Sequence, residues 1–385
     1  MSPTLITTQS KLVSFCKQVE SGEYITVDTE FIRDKTYYPR LCLVQIAGND
    51  AAAAIDPLAE DIDLSPVFAL LTKKTLVKVF HACRQDIEIF YQLANAIPFP
   101  VFDTQVAAAV CGHGDSVGYE MLVNKIVGKQ IDKSSRFTDW SQRPLTDKQL
   151  AYALSDVTHL RVIYEELKSK IEEADRMSWI EEEHAFLTDP KLYDPDPQDS
   201  WKRLRYGNMR PKHLAILREL AAWREMEARK ANIPRGRIIR DDVLVELASS
   251  APKKEADITR LRSLSGGLGK SKTEAVLGIV EKALALPASE HPQTAKRRKP
   301  SENVVSAIAM LQLLLKVSAD QHGIAASMIA GKSDIEAIAL GNTDTPALSG
   351  WRHDIFGKQA ELLMQGKLKL SLDAKSKRVL FEEVK

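Results

Sequence analysis

The chain reads as an α/β domain built on a mixed sheet, followed by a half that is almost wholly helical, and three observations carry that reading. Largely apolar runs at 24–31, 41–47, 52–56, 76–80 and 99–103 are strand candidates; the first three follow one another closely and helix patterns alternate with the rest. That order predicts a mixed sheet flanked by helices. A proline-rich break, Asp189-Pro190-Lys191-Leu192-Tyr193-Asp194-Pro195-Asp196-Pro197, marks a linker, and beyond it the pattern turns helical. Charge changes sign there too. Residues 1–190 hold 19 Lys and Arg against 28 Asp and Glu, a net −9, and residues 191–385 hold 34 against 24, a net +10, although the whole chain carries only +1. At 385 residues the chain exceeds what one core usually supports. The predicted domains are 1–190, 198–286 and 300–385. A basic second half suggests a polyanionic partner, because Lys and Arg release counterions from a phosphate backbone.

The first strand, Tyr24-Ile25-Thr26-Val27, is buried by its length and composition, and Val27-Asp28-Thr29-Glu30-Phe31 ends it. Side chains two apart on a strand share a face, so Asp28 and Glu30 point the same way and repel unless a cation or proton sits between them. The strand Leu76-Val77-Lys78-Val79-Phe80 leads into His81-Ala82-Cys83-Arg84-Gln85-Asp86. Asp86 falls in the opening turn of a helix carrying Ile87, Phe90, Tyr91 and Leu93, where the dipole favours a carboxylate. Between Gln149 and Glu166, Leu150, Ala153, Leu154, Val157, Leu160, Ile163 and Tyr164 recur at helical spacing. Tyr152 and Asp156, four apart, therefore project from one face.

Each of these motifs has an ordinary reading alone: a solvated strand end, a carboxylate answering a helix dipole, a surface Tyr–Asp pair. Converging above one sheet, they gather Asp28, Glu30, Asp86 and Asp156 with nothing local to neutralise them. Hard oxygen ligands of this kind suit Mg²⁺ or Mn²⁺. Two such ions about 4 Å apart can stabilise both the attacking and the leaving oxygen of a displacement at phosphorus.

The three motifs resemble those of the DEDD exonucleases, in the subclass with Tyr in the third motif, and the surrounding sequence is similar to the ribonuclease D family over essentially the whole chain. Tyr37-Tyr38-Pro39-Arg40-Leu41-Cys42-Leu43-Val44-Gln45-Ile46-Ala47, His81-Ala82 and Lys133-Ser134-Ser135-Arg136-Phe137-Thr138-Asp139-Trp140-Ser141-Gln142-Arg143-Pro144-Leu145 carry that similarity. It implies a ribonuclease H-like exonuclease fold. The implied activity is a 3′-5′ exoribonuclease that releases 5′-mononucleotides by two-metal-ion hydrolysis, with tRNA precursors and other small structured RNAs as substrates. Asp28, Glu30 and Asp156 would hold the ion that activates water. Asp28 would bridge to a second ion that Asp86 reaches directly or through water. Tyr152 would orient the attacking water, since an unperturbed phenol near pKa 10 is a poor base at neutral pH. Lys133, Arg136, Trp140 and Arg143 would contact phosphate or stack on RNA; Trp140 serves a core equally well. Gln45 and Tyr119 are further candidates to line a cleft.

In the second half, residues 211–231 read as one amphipathic helix with Leu214, Leu217, Leu220, Ala221 and Met226 as its apolar stripe, followed by the basic loop Asn232-Ile233-Pro234-Arg235-Gly236-Arg237-Ile238-Ile239-Arg240. This region is similar to the HRDC domain shared by ribonuclease D and some helicases, which implies nucleic-acid contact by Arg235 and Arg237; a solvated structural loop is the alternative. Leu286 to Pro300 reads as a second linker with the basic run Lys296-Arg297-Arg298-Lys299. From Ser301 onward, Val304, Ile308, Leu311, Leu314, Leu315 and Val317 form another helical stripe, and Trp351-Arg352-His353-Asp354-Ile355-Phe356-Gly357 precedes a final helix. That stretch is similar to a second, divergent all-α HRDC-like domain.

Two decoys fall away. Gly266-Gly267-Leu268-Gly269-Lys270-Ser271 ends like a phosphate-binding loop, but Leu264 stands where that motif needs Gly, so it reads as a helix-to-helix turn. His81 ends a strand, where a His usually satisfies local hydrogen bonds. Cys16, Cys42, Cys83 and Cys111 show neither zinc nor disulfide spacing, and no signal-like leader or membrane-length apolar run is expected. A cytoplasmic monomer follows as the expectation. A DNA 3′-5′ exonuclease and a non-catalytic nucleic-acid scaffold remain the competing readings.

Overall fold

The computed structural model describes residues 4–264, 267–293 and 302–384. Gly266 and the basic run Lys296–Lys299 lie outside the described residues. Six strands form one mixed sheet: β1 (Leu5–Ile6), β2 (Tyr24–Ile32), β3 (Arg40–Ala47), β4 (Ala52–Ile55), β5 (Val77–Phe80) and β6 (Val101–Asp103), in the order β1-β4-β3-β2-β5-β6. β2, β3 and β4 pair antiparallel as short connections dictate, and β2-β5-β6 pair parallel through helical crossovers. The two-residue β1 was too short to leave a periodicity in the sequence.

Helices α1 (Gln9–Val19), α2 (Ser65–Thr72) and α3 (Arg84–Ala94) cover one face around Leu12, Leu71 and Phe90. Helices α4 (Thr104–Val110), α5 (Tyr119–Leu122), α6 (Asp147–Glu173) and α7 (Met177–Leu187) build the other around Phe102, Leu160 and Ile163. α6 starts at a capping box, in which Thr146 and Gln149 bond each other's backbone N–H, and it outruns the predicted end by two turns.

The proline-rich break is packed chain rather than a free linker. Tyr193 is buried in the first core and Trp201 in the next, and two large aromatic side chains anchor the segment to both neighbours. The first helical domain comprises α8 (Pro211–Ala231), α9 (Arg235–Ile238), α10 (Asp241–Ser250), α11 (Glu255–Thr259) and α12 (Lys270–Ala285) around Leu217, Leu220, Leu247 and Val276. α8 matches its predicted span, but Met226 is 54% exposed and lies off the buried stripe.

The last domain holds α13 (Glu302–His322), α14 (Ala326–Ile329), α15 (Lys332–Ala339), α16 (Gly350–Arg352) and α17 (Lys358–Met364). It is not all-α: β7 (Leu368–Leu372) and β8 (Val379–Glu383) form an antiparallel hairpin at its end. By length and composition Asn303–His322, of mean hydropathy 1.3, is a helix that could cross a membrane, contrary to the expectation from run lengths. Leu311, Leu314, Leu315 and Ala319 on it are buried in the domain core, while Val305, Met310 and Leu313 are exposed.

Both helical domains dock on the exonuclease domain. The last one approaches closely: the Ala325 N–H donates to the Ala109 carbonyl at 3.1 Å, and Trp179 stacks on Trp351 with centroids 4.5 Å apart. Gly112, at φ +74°, faces the Gly323 carbonyl so tightly that a Cβ would overlap it.

Candidate active site

Three elements deliver the motif residues. β2 presents Asp28 and Glu30 on one face just before a register shift between Glu30 and Phe31, a bulge that turns the strand end. α6 is pinned across β2 from both sides: the buried Thr26 hydroxyl donates to the Val157 carbonyl at 2.7 Å, and the Tyr119 hydroxyl donates to the Asp156 carbonyl. Carboxylate oxygens of Asp28, Glu30 and Asp156 consequently lie within 4.8 Å of one another. Asp86 stands beside this trio rather than within it, buried and held by the Thr29 hydroxyl at 2.5 Å.

Asp103, which sequence reasoning passed over, fixes where Asp86 sits. Its buried carboxylate accepts from the N–H groups of Ala82 at 3.1 Å and Cys83 at 2.8 Å, where the chain turns into α3. Ala82 takes a left-handed φ of 59° there, a conformation non-glycine residues rarely adopt. The same carboxylate caps α4 through the Gln105 N–H at 2.8 Å. An Asp two elements away from the motif it supports leaves no local signal.

Burial raises the pKa of all four carboxyl groups. Asp28 moves up to about 7, and Glu30 to about 10, with the Asp28, Asp156 and Asp86 charges adding to desolvation and Arg136 opposing them. Asp86 and Asp156 rise well above the ordinary range from burial and the Asp28 charge. Burial, then Asp156, Glu30 and Asp28, also push the Tyr152 phenol upward, so it stays protonated.

This donor set fits a divalent cation. The Asp156 Oδ1 is buried with no hydrogen-bond partner, and three hard carboxylates converge on one point. Beside them opens a cleft of about 340 Å³, lined among others by His81, Tyr119, Arg136, Tyr152 and Lys133. That volume suits one small ligand rather than a duplex. His81 bonds Thr104 through Nδ1 at 3.1 Å and stays outside the carboxylate cluster.

The sequence-predicted nucleic-acid contacts divide. Arg136 lines the cleft, exposed, with its guanidinium 5.2 Å from the Phe137 ring centre. Lys133 lines it too, paired with Glu120 at the rim. Trp140 is 3% exposed, packed behind Tyr152 with centroids 6.2 Å apart, so it is core and offers no stacking face. Phe137, 90% exposed, is the available aromatic instead. Arg143 has no donor left for phosphate: its five N–H groups reach Asp56 twice and the carbonyls of Cys42, Trp140 and Gln142. Arg235 binds Glu225 and the Tyr37 hydroxyl at a domain seam, while Arg237 is exposed. Gln45 pairs with Asp28 across the strands but is fully buried and does not line the cleft.

With this geometry in place, comparison with known proteins is decisive. Residues 3–172 match the 3′-5′ exonuclease domain family and residues 213–280 the HRDC domain family. Ribonuclease D of Jannaschia sp. is 46% identical over 388 residues, covering 99% of this chain and 100% of that protein. Ribonuclease D of Bartonella henselae is 45% identical over 367 residues, covering 94% and 90%. The chain belongs to the ribonuclease D family. The crystal structure of Escherichia coli RNase D, an exoribonuclease involved in structured RNA processing, superposes with a TM-score of 0.85 at 30% identity, covering 95% of this chain and 99% of that one. As a ribonuclease D family member the chain is a hydrolase of the 3′-5′ exoribonuclease class, and its acidic cluster accords with the divalent-metal dependence of that domain.

Proposed function

We propose that this enzyme trims the 3′ ends of tRNA precursors and other small structured RNAs, releasing 5′-mononucleotides by hydrolysis assisted by two Mg²⁺ or Mn²⁺ ions. The observation that carries the reading is the convergence of Asp28, Glu30 and Asp156 within 4.8 Å, beside a cleft sized for a single terminal nucleotide. Asp28, Glu30 and Asp156 would hold one ion, and Asp86 with Asp28 the other. Bound there, the ions supply charge neutralisation and an activated water.

The chain's own residues do the positioning. Tyr152, kept protonated, donates a hydrogen bond that orients the attacking water. Arg136 and Lys133 meet phosphate at the rim, and Phe137, rather than the buried Trp140, stacks against a base. Arg237 contributes a more distant phosphate contact, whereas Arg143 acts structurally. The four cysteines are all free, which supports a reducing, cytoplasmic setting. Sedimentation of the full chain as a single 42.9 kDa species would support action as a monomer.

The test is a precursor tRNA with a 3′ trailer compared with a DNA strand of matched sequence and a blunt RNA duplex. Trailer removal that halts near the acceptor stem, with DNA and duplex spared, supports the proposal. Equal degradation of the DNA strand points to the repair-type alternative.

A further inference from the structure

At the seam between the exonuclease domain and the first helical domain lies a second cavity, of about 530 Å³, whose walls carry five arginines. Arg33 and Arg84 come from the exonuclease domain, and Arg203, Arg229 and Arg235 from the chain beyond the proline-rich break. The seam is rigidly built. The Asn232 side chain, at the left-handed C-cap of α8, accepts the N–H groups of Tyr37 at 3.1 Å and Tyr38 at 3.0 Å. The Tyr37 hydroxyl donates to buried Glu225 and accepts from Arg235 at 2.8 Å and Arg229 at 3.2 Å.

The carboxylates are too few to neutralise this wall. Glu225 faces Arg203, Arg235 and Arg229; Glu88 takes Arg33 and Asp194 takes Arg229. Five arginines against three carboxylates leave an excess of two positive charges. Donors are in excess as well, since a guanidinium carries five N–H groups. Arg203 and Arg235 use Nε and Nη2 on Glu225, Tyr37 and the Ser200 carbonyl, and their Nη1 groups have no partner among the described residues. Arg84 is exposed and engages no acceptor among the described residues. A purely structural ion-pair seam would close on itself; this one stays open, with the Tyr38 and Tyr91 rings in its lining.

Its place relative to the carboxylates is fixed by the chain. Arg33 follows Glu30 by three residues, one position past the end of β2, and Arg84 opens α3 two residues before Asp86. We propose that this arginine-walled seam is a second phosphate-binding site, which takes a phosphodiester of the RNA strand upstream of the terminal nucleotide and so ties the first helical domain to catalysis. The proposal rests on the exoribonuclease reading. A free anion, inorganic phosphate or a 5′-mononucleotide, shares the chemistry and is separated by the test.

Arg203→Ala and Arg84→Ala, with Arg203→Lys as the conservative control, are assayed on a single-stranded RNA of a dozen nucleotides and on a dinucleotide too short to reach the seam. For the long RNA, each alanine variant should raise KM about tenfold and reduce the slope of log K against log salt by about one, with Arg203→Lys restoring most of both. Dinucleotide turnover should stay within about twofold of the parent. Unchanged KM and salt slope overturn the site, as does an equal loss on both substrates, which would mean a disturbed Asp86. Weakened inhibition by added phosphate or adenosine monophosphate with intact long-RNA kinetics overturns RNA as the ligand. If the parent enzyme hydrolyses neither substrate yet binds the long RNA with the same arginine-dependent salt slope, the site stands and the exoribonuclease reading fails.

Discussion

Removing divalent metal should destabilise this protein increasingly as pH rises, because the fold forces carboxylates together that it cannot neutralise by itself. Asp28 is raised from 3.8 to about 7 and Glu30 from 4.5 to about 10, chiefly by desolvation. A carboxyl whose folded pKa lies above its unfolded one contributes its full stability below about pH 4. That contribution is lost as pH rises through the folded value. For Asp28 the loss amounts to about 1.4 kcal/mol per pH unit between roughly pH 4 and 7, on the order of 4 kcal/mol in all. Glu30 extends it to higher pH. A bound cation removes the repulsion and stabilises the native state by mass action. Thermal unfolding with chelator and with Mg²⁺, at about pH 5 and about pH 8, reads this directly. Metal should raise Tm by several degrees at the higher pH and by little at the lower, at roughly 2–4 °C per kcal/mol. Asp156→Asn should stabilise the chelated protein at high pH and erase most of the metal-induced gain. A metal-free Tm that is flat from pH 5 to 8, or a metal gain equal at both, would show that the cluster carries no such repulsion.

Other outcomes follow from the same geometry. Tyr152→Phe should lower kcat about 100-fold with RNA affinity retained, as loss of a water-orienting hydroxyl demands, checked by single-turnover hydrolysis. Trp140→Ala should cost about 3–5 kcal/mol in denaturant unfolding by emptying the space behind Tyr152, without changing the salt dependence of RNA binding. Glu225→Ala leaves three arginines facing one another and should cost about 3–5 kcal/mol. In the parent, Glu225 sits at about 2 because hydrogen bonds from Arg235 and Tyr37 outweigh its burial. A depressed pKa keeps its stabilisation intact above about pH 4.5 and loses it as pH falls toward 2, so the Glu225→Ala deficit should shrink in acid.

The candidate site was legible where function and backbone periodicity coincide. Asp28 and Glu30 are two apart on a strand and Tyr152 and Asp156 four apart on a helix, so local spacing alone fixed their shared faces. What escaped depended on partners distant in sequence. Arg143 is consumed by Asp56, 87 residues away, and Arg235 is held in a domain seam by Tyr37, 198 residues away, so composition marked both as RNA contacts while tertiary structure took both from the exposed surface. Burial of Trp140 was undecidable for the same reason. The terminal hairpin is a different case: Leu368-Lys369-Leu370-Ser371-Leu372 alternates cleanly, and the helical reading of its surroundings obscured a signal that was present.

The Asp28–Glu30–Asp156 cluster should remove nucleotides one at a time from an RNA 3′ end. A 5′-labelled RNA with a single-stranded 3′ tail, incubated with Mg²⁺ or Mn²⁺, tests it most directly beside chelated enzyme and Asp156→Ala. The parent enzyme should give a ladder shortening by single nucleotides, and both controls should leave the RNA intact. Internal cleavage, or shortening that survives chelator or the substitution, would contradict it.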